Sequence, residues 1–124
     1  MVHLDTHVVV WLYQNDLDRF STKARGLLEN EDLSVSPIVQ LELTYFREIG
    51  RLTVDAAEII GYLGATIDLV QDDAAFAAVV AIAARFDWTR DPFDRIIVAQ
   101  AQLSESRLVT KDRSRLDRYP LAVW

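Results

Sequence analysis

Apolar residues along this chain recur with two periods, and the switches between them mark out the elements. Residues 2–5 read as a short strand, followed at once by a helix over 6–13 that is apolar nearly all the way round. Such a helix has to be buried or covered by a partner. Ser21 reads as the N-cap of a second helix over 21–30, and residues 33–36 form a strand candidate. Ser36-Pro37 then supplies a cap and a proline at the first helical position, launching a helix to about residue 49 that Gly50 can end. Further helices are predicted over 53–63 and 73–86, with the strand-like ATIDLV of residues 65–70 between them. Asp91-Pro92 repeats the cap-plus-proline signal and opens a helix to about residue 103. Residues 108–110 read as another strand and 121–124 as a candidate last one.

Strands that alternate with helices imply a parallel sheet covered on both faces. Right-handed crossovers then give an α/β fold, a three-layer α/β/α sandwich around a parallel sheet of four to five strands. In such sheets sites form beyond the carboxyl ends of the strands. The strand-to-helix junctions are therefore where chemistry is expected.

Composition narrows the function classes. At 124 residues and 51% hydrophobic, the chain is the size of one domain with an ample core, expected to span 1–124. It has no cysteine, which excludes disulfide scaffolds, thiolate zinc sites and cysteine nucleophiles, and fits a reducing cytoplasm. The start, MVHLDTHVVVW, lacks the basic flank and cleavage site of a signal peptide. The longest uncharged apolar run, residues 74–84, is well short of the roughly 20 that a spanning helix needs, so a soluble protein with no membrane partner is expected.

The net charge of −6 argues against coating nucleic acid through bulk electrostatics. The charge is uneven, however: residues 1–84 carry 5 basic and 13 acidic groups, and residues 85–124 carry 8 basic and 6 acidic. Arg85, Arg90, Arg95, Arg107, Arg113, Arg115 and Arg118 make up most of that basic tail. The planar guanidinium suits phosphate contacts, although solvation of helix faces and turns accounts equally well for any one of them.

The acids at the junctions carry more information. Asp5 ends the first strand, where an aspartate is also an ordinary N-cap that Thr6 could share. Glu42 lies four residues after Ile38, three before Tyr45 and seven before Ile49, which places it on the stripe expected to face the core. A carboxylate there is costly unless it is protonated, paired or bound to a cation, and only Arg47 and Arg51 are close in sequence. Asp91 is explained as a cap, Asp94 projects from the same first turn toward the strand ends, and Asp112 follows the strand LVT in a turn with Lys111. Thr110 could hydrogen-bond a neighbouring carboxylate. Each acid has a bland explanation, yet several junctions present one to the same sheet edge. An oxygen-ligand site for a hard cation would relieve their repulsion. With two histidines and no cysteine, zinc is disfavoured; His3 reads as packed in the sheet layer and His7 as an ordinary helix residue.

With these segments in place the sequence resembles the PIN-domain ribonucleases, and within them the VapC-type toxins of type II toxin–antitoxin pairs. The matching segments are LDTHVVVW, SVSPIVQLEL, RDPFDRIIVAQA and RLVTKD, with the closing RYPLAVW, so the resemblance covers essentially the whole chain. The family's acidic set falls on Asp5, Glu42, Asp94 and Asp112, with Asp91 matching a further acid of the DPFDR variant. The resemblance implies Mg²⁺ or Mn²⁺, cleavage of single-stranded regions of RNA, a cognate antitoxin, and homodimers.

The expected chemistry follows. One or two divalent ions held by these carboxylates would activate a water and steady an in-line displacement at phosphorus. Asp5 and Asp94 are the first candidates for direct ligands, Glu42 and Asp112 for ligands or water-positioning groups, and Thr6 and Thr110 for support. Arg90, Arg95 and Arg113 are candidates for touching flanking phosphates. Two alternatives from other classes stay open. A receiver-like Mg²⁺-binding signalling module shares the fold class but needs paired acids after the first strand and a mid-chain phosphoacceptor. A PIN module that binds without turnover would keep the fold and lose the cleavage. Trp11, Tyr13, Tyr45 and Phe46 could line an antitoxin groove, or simply pack the core.

Overall fold

The computed structural model describes residues 1–124. Five short strands, β1 (Val2–Leu4), β2 (Leu33–Val35), β3 (Val70–Gln71), β4 (Arg107–Val109) and β5 (Ala122–Val123), form one sheet in the order β3-β2-β1-β4-β5. Every neighbouring pair is parallel, with His3 opposite Ser34 on one side and Leu108 on the other. Seven α-helices connect them: α1 (Thr6–Tyr13), α2 (Thr22–Asn30), α3 (Ile38–Glu48), α4 (Ala56–Ile67), α5 (Phe76–Ala83), α6 (Pro92–Leu103) and α7 (Arg113–Arg118). Right-handed crossovers put the connections through α1–α4, which step outward from β1 to β3, on one face. Those through α5–α7, which return to β4 and β5, lie on the other. Contacts of α1 and α3 with α4, and of α5 with α6, follow that division. The α/β sandwich expected from the alternation of elements is thus the one observed.

Both faces of the sheet are covered, so its central residues are largely apolar. Val2, Leu4, Val35, Leu108 and Val109 are at most 1% exposed and pack with Val8 and Val9 of α1 and Ile97 of α6 into one core. Helix α1 is buried as its composition requires; only His7 stands out to solvent within its first two turns. The cap signals also hold. The Ser21 side chain accepts from the Ala24 N–H at 3.0 Å, and Asp91 accepts from the Phe93 N–H at 2.8 Å ahead of Pro92. Gly50 ends α3 with φ +80°, a left-handed conformation that glycine adopts without penalty.

Three expectations need correction. Residues 65–70 are not a strand: α4 begins at Ala56 rather than 53 and continues to Ile67, where Asp68 ends it in a left-handed turn, and only Val70–Gln71 joins the sheet. The helix predicted over 73–86 is confined to Phe76–Ala83. The turn after Asp112 is a helix, α7, whose few apolar residues gave no periodic signal.

The stripe assigned to α3 also shifts. Its buried residues are Val39, Glu42, Leu43 and Phe46, while Tyr45 and Ile49 are exposed. Glu42 is still buried, at 8% exposure, because it neighbours that stripe on the helix surface.

Candidate active site

In the order β3-β2-β1-β4-β5 the chain runs outward from β1 in one direction and returns through β4 in the other. The crevice between the carboxyl ends of β1 and β4 is the topological switch point, where doubly wound sheets place their sites. Asp5 and Thr110 are the first residues beyond those two strands, and the Thr110 hydroxyl donates to Asp5 Oδ2 at 2.6 Å. The other oxygen, Oδ1, accepts from the Thr6 N–H at 2.7 Å. Asp5 is 2% exposed. It caps α1, as its place in sequence suggests, while both of its oxygens are fixed by groups at the switch point.

The other acids reach the same place from different helices. Glu42, Asp91, Asp94 and Asp112 line one open cleft of about 360 Å³ together with His7, Arg51 and Phe93. Asp94 is half-buried in the first turn of α6 and accepts from the Thr89 hydroxyl at 3.3 Å. Asp91 and Asp112 both act as caps: Asp91 Oδ1 accepts from the Phe93 and Asp94 N–H groups, and Asp112 Oδ1 accepts from the Arg115 N–H at 3.0 Å. The Thr110 hydroxyl also accepts from the Asp112 N–H at 3.0 Å, so one side chain ties the β4 end to Asp5 and to α7.

Burial sets the electrostatics. Desolvation pushes the Glu42 carboxyl above the usual glutamate range; the nearby Thr6 hydroxyl and Arg115 oppose that rise without cancelling it. Asp94 is raised too, again by desolvation first, against the pull of Arg115. The Thr6 hydroxyl is itself buried beside Glu42, without a well-formed hydrogen bond to it or to any other group.

Arg115 is the residue that the sequence reading passed over. Seen as one of seven arginines in a basic tail, it is in fact 4% exposed and sits between two of the acids. Its Nη1 donates to Asp5 Oδ2 and its Nη2 to Asp94 Oδ1. Burial disfavours its charge, but Asp5, Asp94 and Asp112 outweigh that and hold the guanidinium more firmly protonated than usual. The place of Arg115 three residues after the capping Asp112 becomes informative only once α7 is known to be a helix. The three arginines singled out for phosphate contacts lie elsewhere. Arg90 and Arg113 are exposed, whereas Arg95 is half-buried with its Nε donating to the Thr89 carbonyl at 2.7 Å.

The donor set suits a hard divalent cation, since it offers carboxylate and hydroxyl oxygens and no thiolate. The buried unpartnered Thr6 hydroxyl and the desolvated Glu42 point the same way. No three of the acidic or histidine side chains are gathered closely enough to grip an ion as they stand, and Arg115 fills the space between Asp5 and Asp94. The aromatics proposed for a partner groove separate into two groups. Trp11 packs on Phe20 and Trp124, and Tyr13 on Tyr62, while Tyr45 stacks on Phe93 at the cleft rim beside the buried Phe46.

A parallel sheet with an acidic cleft at its switch point defines the class: the chain belongs to the PIN domain family, which it matches over residues 2–121. Over 129 aligned positions it is 33% identical to Ribonuclease VapC22 of Mycobacterium tuberculosis (strain ATCC 25618 / H37Rv), spanning 99% of this chain and 98% of that protein. Its fold is similar to a crystal structure of VapBC2 from Rickettsia felis bound to a DNA fragment from their promoter. The TM-score is 0.68 and the identity 16%, over 99% of this chain and 96% of that one. The resemblance read from LDTHVVVW and RDPFDR is therefore correct at the level of family. The receiver-like alternative lacks its features: β1 is the central strand but is followed by Asp5-Thr6-His7, and the mid-chain strand β3 lies at an edge, with Asp72 beyond it bound to His3 and Ser104 instead of lining the cleft.

Proposed function

We infer that residues 1–124 act as one nuclease domain, a Mg²⁺- or Mn²⁺-dependent endoribonuclease that cuts single-stranded regions of RNA. The observation that carries this reading is the cleft of a PIN-family sheet lined by Glu42, Asp94 and Asp112, with the buried Asp5 joined to Asp94 through Arg115. Asp5 and Asp94 are the direct ligands in this scheme, with Glu42 and Asp112 beside them as further ligands or as groups that orient a water. A divalent ion held there lowers the pKa of a water and offsets charge on the phosphodiester. The chain supplies the rest. Thr110 and the Thr6 N–H fix both oxygens of Asp5, the Asp91 cap sets the first turn that carries Asp94, and the exposed Arg90 and Arg113 are candidates for flanking phosphates outside the cleft lining.

The 33% identity to Ribonuclease VapC22 supports RNA as the substrate, and we further propose the role of toxin in a toxin–antitoxin pair, with a cognate antitoxin and a second copy of this chain as partners and the cytoplasm as its place. No helix is long and apolar enough to cross a membrane. The test is a cleavage map of total RNA incubated with the purified chain in Mg²⁺, with and without EDTA, beside Asp5→Asn and Asp94→Asn. The native chain should cut at discrete unpaired sites and stop in EDTA. Each variant should lose at least about 100-fold in rate while its circular dichroism and melting curve stay folded. Undiminished turnover in both variants refutes the assignment. A folded native chain that cuts nothing in Mg²⁺ or Mn²⁺ would make it a binding module instead.

A further inference from the structure

We propose that Arg115 is an internal counter-ion that competes with the divalent cation for Asp5 and Asp94, and must leave them for the cation to bind. The inference rests on the reading of these two acids as metal ligands. Three observations support it. The guanidinium bridges the two acids proposed as direct ligands, one nitrogen on each, so it stands where their shared ligand would stand. It is 4% exposed, yet its Nε is buried with no hydrogen-bond partner, so the ion pair is incompletely satisfied as a permanent structural link. Buried ion pairs with missing hydrogen bonds gain little over their desolvation cost. The pair also leaves Glu42 desolvated without an acceptor-to-cation contact of its own, a position a divalent charge answers better than a single one.

Arg115 is thus a positioning residue in the metal-free protein. It neutralises Asp5 and Asp94, keeps them facing each other, and holds α7 against the site through a six-residue helix whose first turn is capped by Asp112. A cation entering the site meets a like charge that it has to displace. By linkage, whatever free energy couples Arg115 to the acids is subtracted from the metal's affinity.

The experiment measures Mn²⁺ binding directly, by the electron paramagnetic resonance signal of free Mn²⁺, on the native chain, Arg115→Gln and Arg115→Lys. Arg115→Gln should bind Mn²⁺ about tenfold tighter or more, with Arg115→Lys in between. Without metal, Arg115→Gln should melt lower than the native chain and recover when Mn²⁺ is added. A purely structural arginine would lower the melting temperature too, but would leave Mn²⁺ affinity unchanged or weaker, and that result overturns the proposal.

A second measurement needs no variant. Phenylglyoxal treatment of the native chain, followed by peptide mapping, should leave Arg115 protected in EDTA and modified in saturating Mn²⁺, with the exposed Arg85 and Arg90 modified equally in both. Protection that persists in Mn²⁺ also overturns it. If no form binds Mn²⁺, the metal-dependent reading falls together with this one; binding of equal strength in native and Gln forms defeats only the competition.

Discussion

Glu42 is a side chain that the fold by itself does not favour. It occupies a buried position on α3 beside Val39, Leu43 and Phe46, and desolvation raises its carboxyl above the usual range. A carboxyl whose folded pKa is raised favours the protonated form. Its contribution to stability is therefore present below its unfolded pKa and is lost as pH rises through the folded value. Asp94 shifts in the same direction for the same reason. Glu42→Gln should accordingly raise the metal-free melting temperature at pH 8 by about 2–5 °C and leave it little changed at pH 4, as read by differential scanning calorimetry. RNA cleavage by that variant should be strongly impaired. A melting point that falls at pH 8 would mean that the Arg115 field already compensates the charge. Glu42 was legible in the sequence because an acid beside an apolar stripe is rare. Arg115 was not, because an arginine in an Arg-rich tail looks like solvated surface until its two partners are brought to it from α1 and α6.

At the scale of elements, Asp91 and Asp94 share one helical turn and divide two tasks. Asp91 Oδ1 accepts from two backbone N–H groups at the start of α6, which is the work of a cap, and Asp94 faces Arg115. Asp91→Ser keeps a capping oxygen and removes the carboxylate. It should hold stability within about 0.5 kcal/mol, against a loss of about 1 kcal/mol for Asp91→Ala in urea titrations. If Asp91 serves only as a cap, Asp91→Ser also keeps most of the cleavage rate; a loss matching that of Asp94→Asn would make it part of the metal set.

The elements that were easy to read share a local marker. Helix α6 has its Asp-Pro start, α2 its serine cap and α3 its glycine stop, each of which acts within a few residues. The elements misread lack such a marker, or carry one, like Asp112 before α7, that a simple turn explains as well. Helix α4 overruns the exposed ATI segment and stops only at Asp68, in a left-handed turn at φ 55°. Helix α7, six residues with four charges, is held by the Asp112 cap and by the burial of Arg115.

Across the whole molecule, a second polar cluster ties the sheet together away from the cleft. His3 on β1 is 1% exposed; its Nε2–H donates to Asp72 at 2.6 Å and its Nδ1 accepts from the Ser106 hydroxyl. Asp72 also accepts from the Ala74 N–H and the Ser104 hydroxyl. Central strand β1 is thereby joined to the end of β3 and the start of β4, regions far apart in sequence. Burial lowers the His3 pKa below its ordinary value, and Asp72 opposes this without reversing it. Asp72 is lowered as well: burial would raise it, but its backbone and side-chain donors outweigh that.

Both groups thus contribute stability that is present at higher pH. The His3 part is complete above about pH 6.5 and is lost as pH falls through its folded value; the Asp72 part is lost at lower pH still. Between pH 7.5 and pH 5 the His3 part lowers the urea midpoint, against the opposite contributions of Glu42 and Asp94. His3→Gln should cost about 1–2 kcal/mol at pH 7.5 and lose that downward part of the slope. An unchanged slope in the variant would assign the acid sensitivity to other groups.

What the sequence by itself determined is what local chemistry governs: the alternation of strand and helix, the capped helix starts, the buried first helix, and the four acids at its junctions. Those depend on residues a few positions apart, and the motif order around them was enough to mark the PIN family. Tertiary structure decided what depends on distance in space. It put Asp5 and Thr110 side by side at the switch point, placed the guanidinium of Arg115 between Asp5 and Asp94, and closed the network of His3. Each of those contacts joins partners separated by 21 to 110 residues of chain, and no local pattern records which distant group a charged side chain will meet.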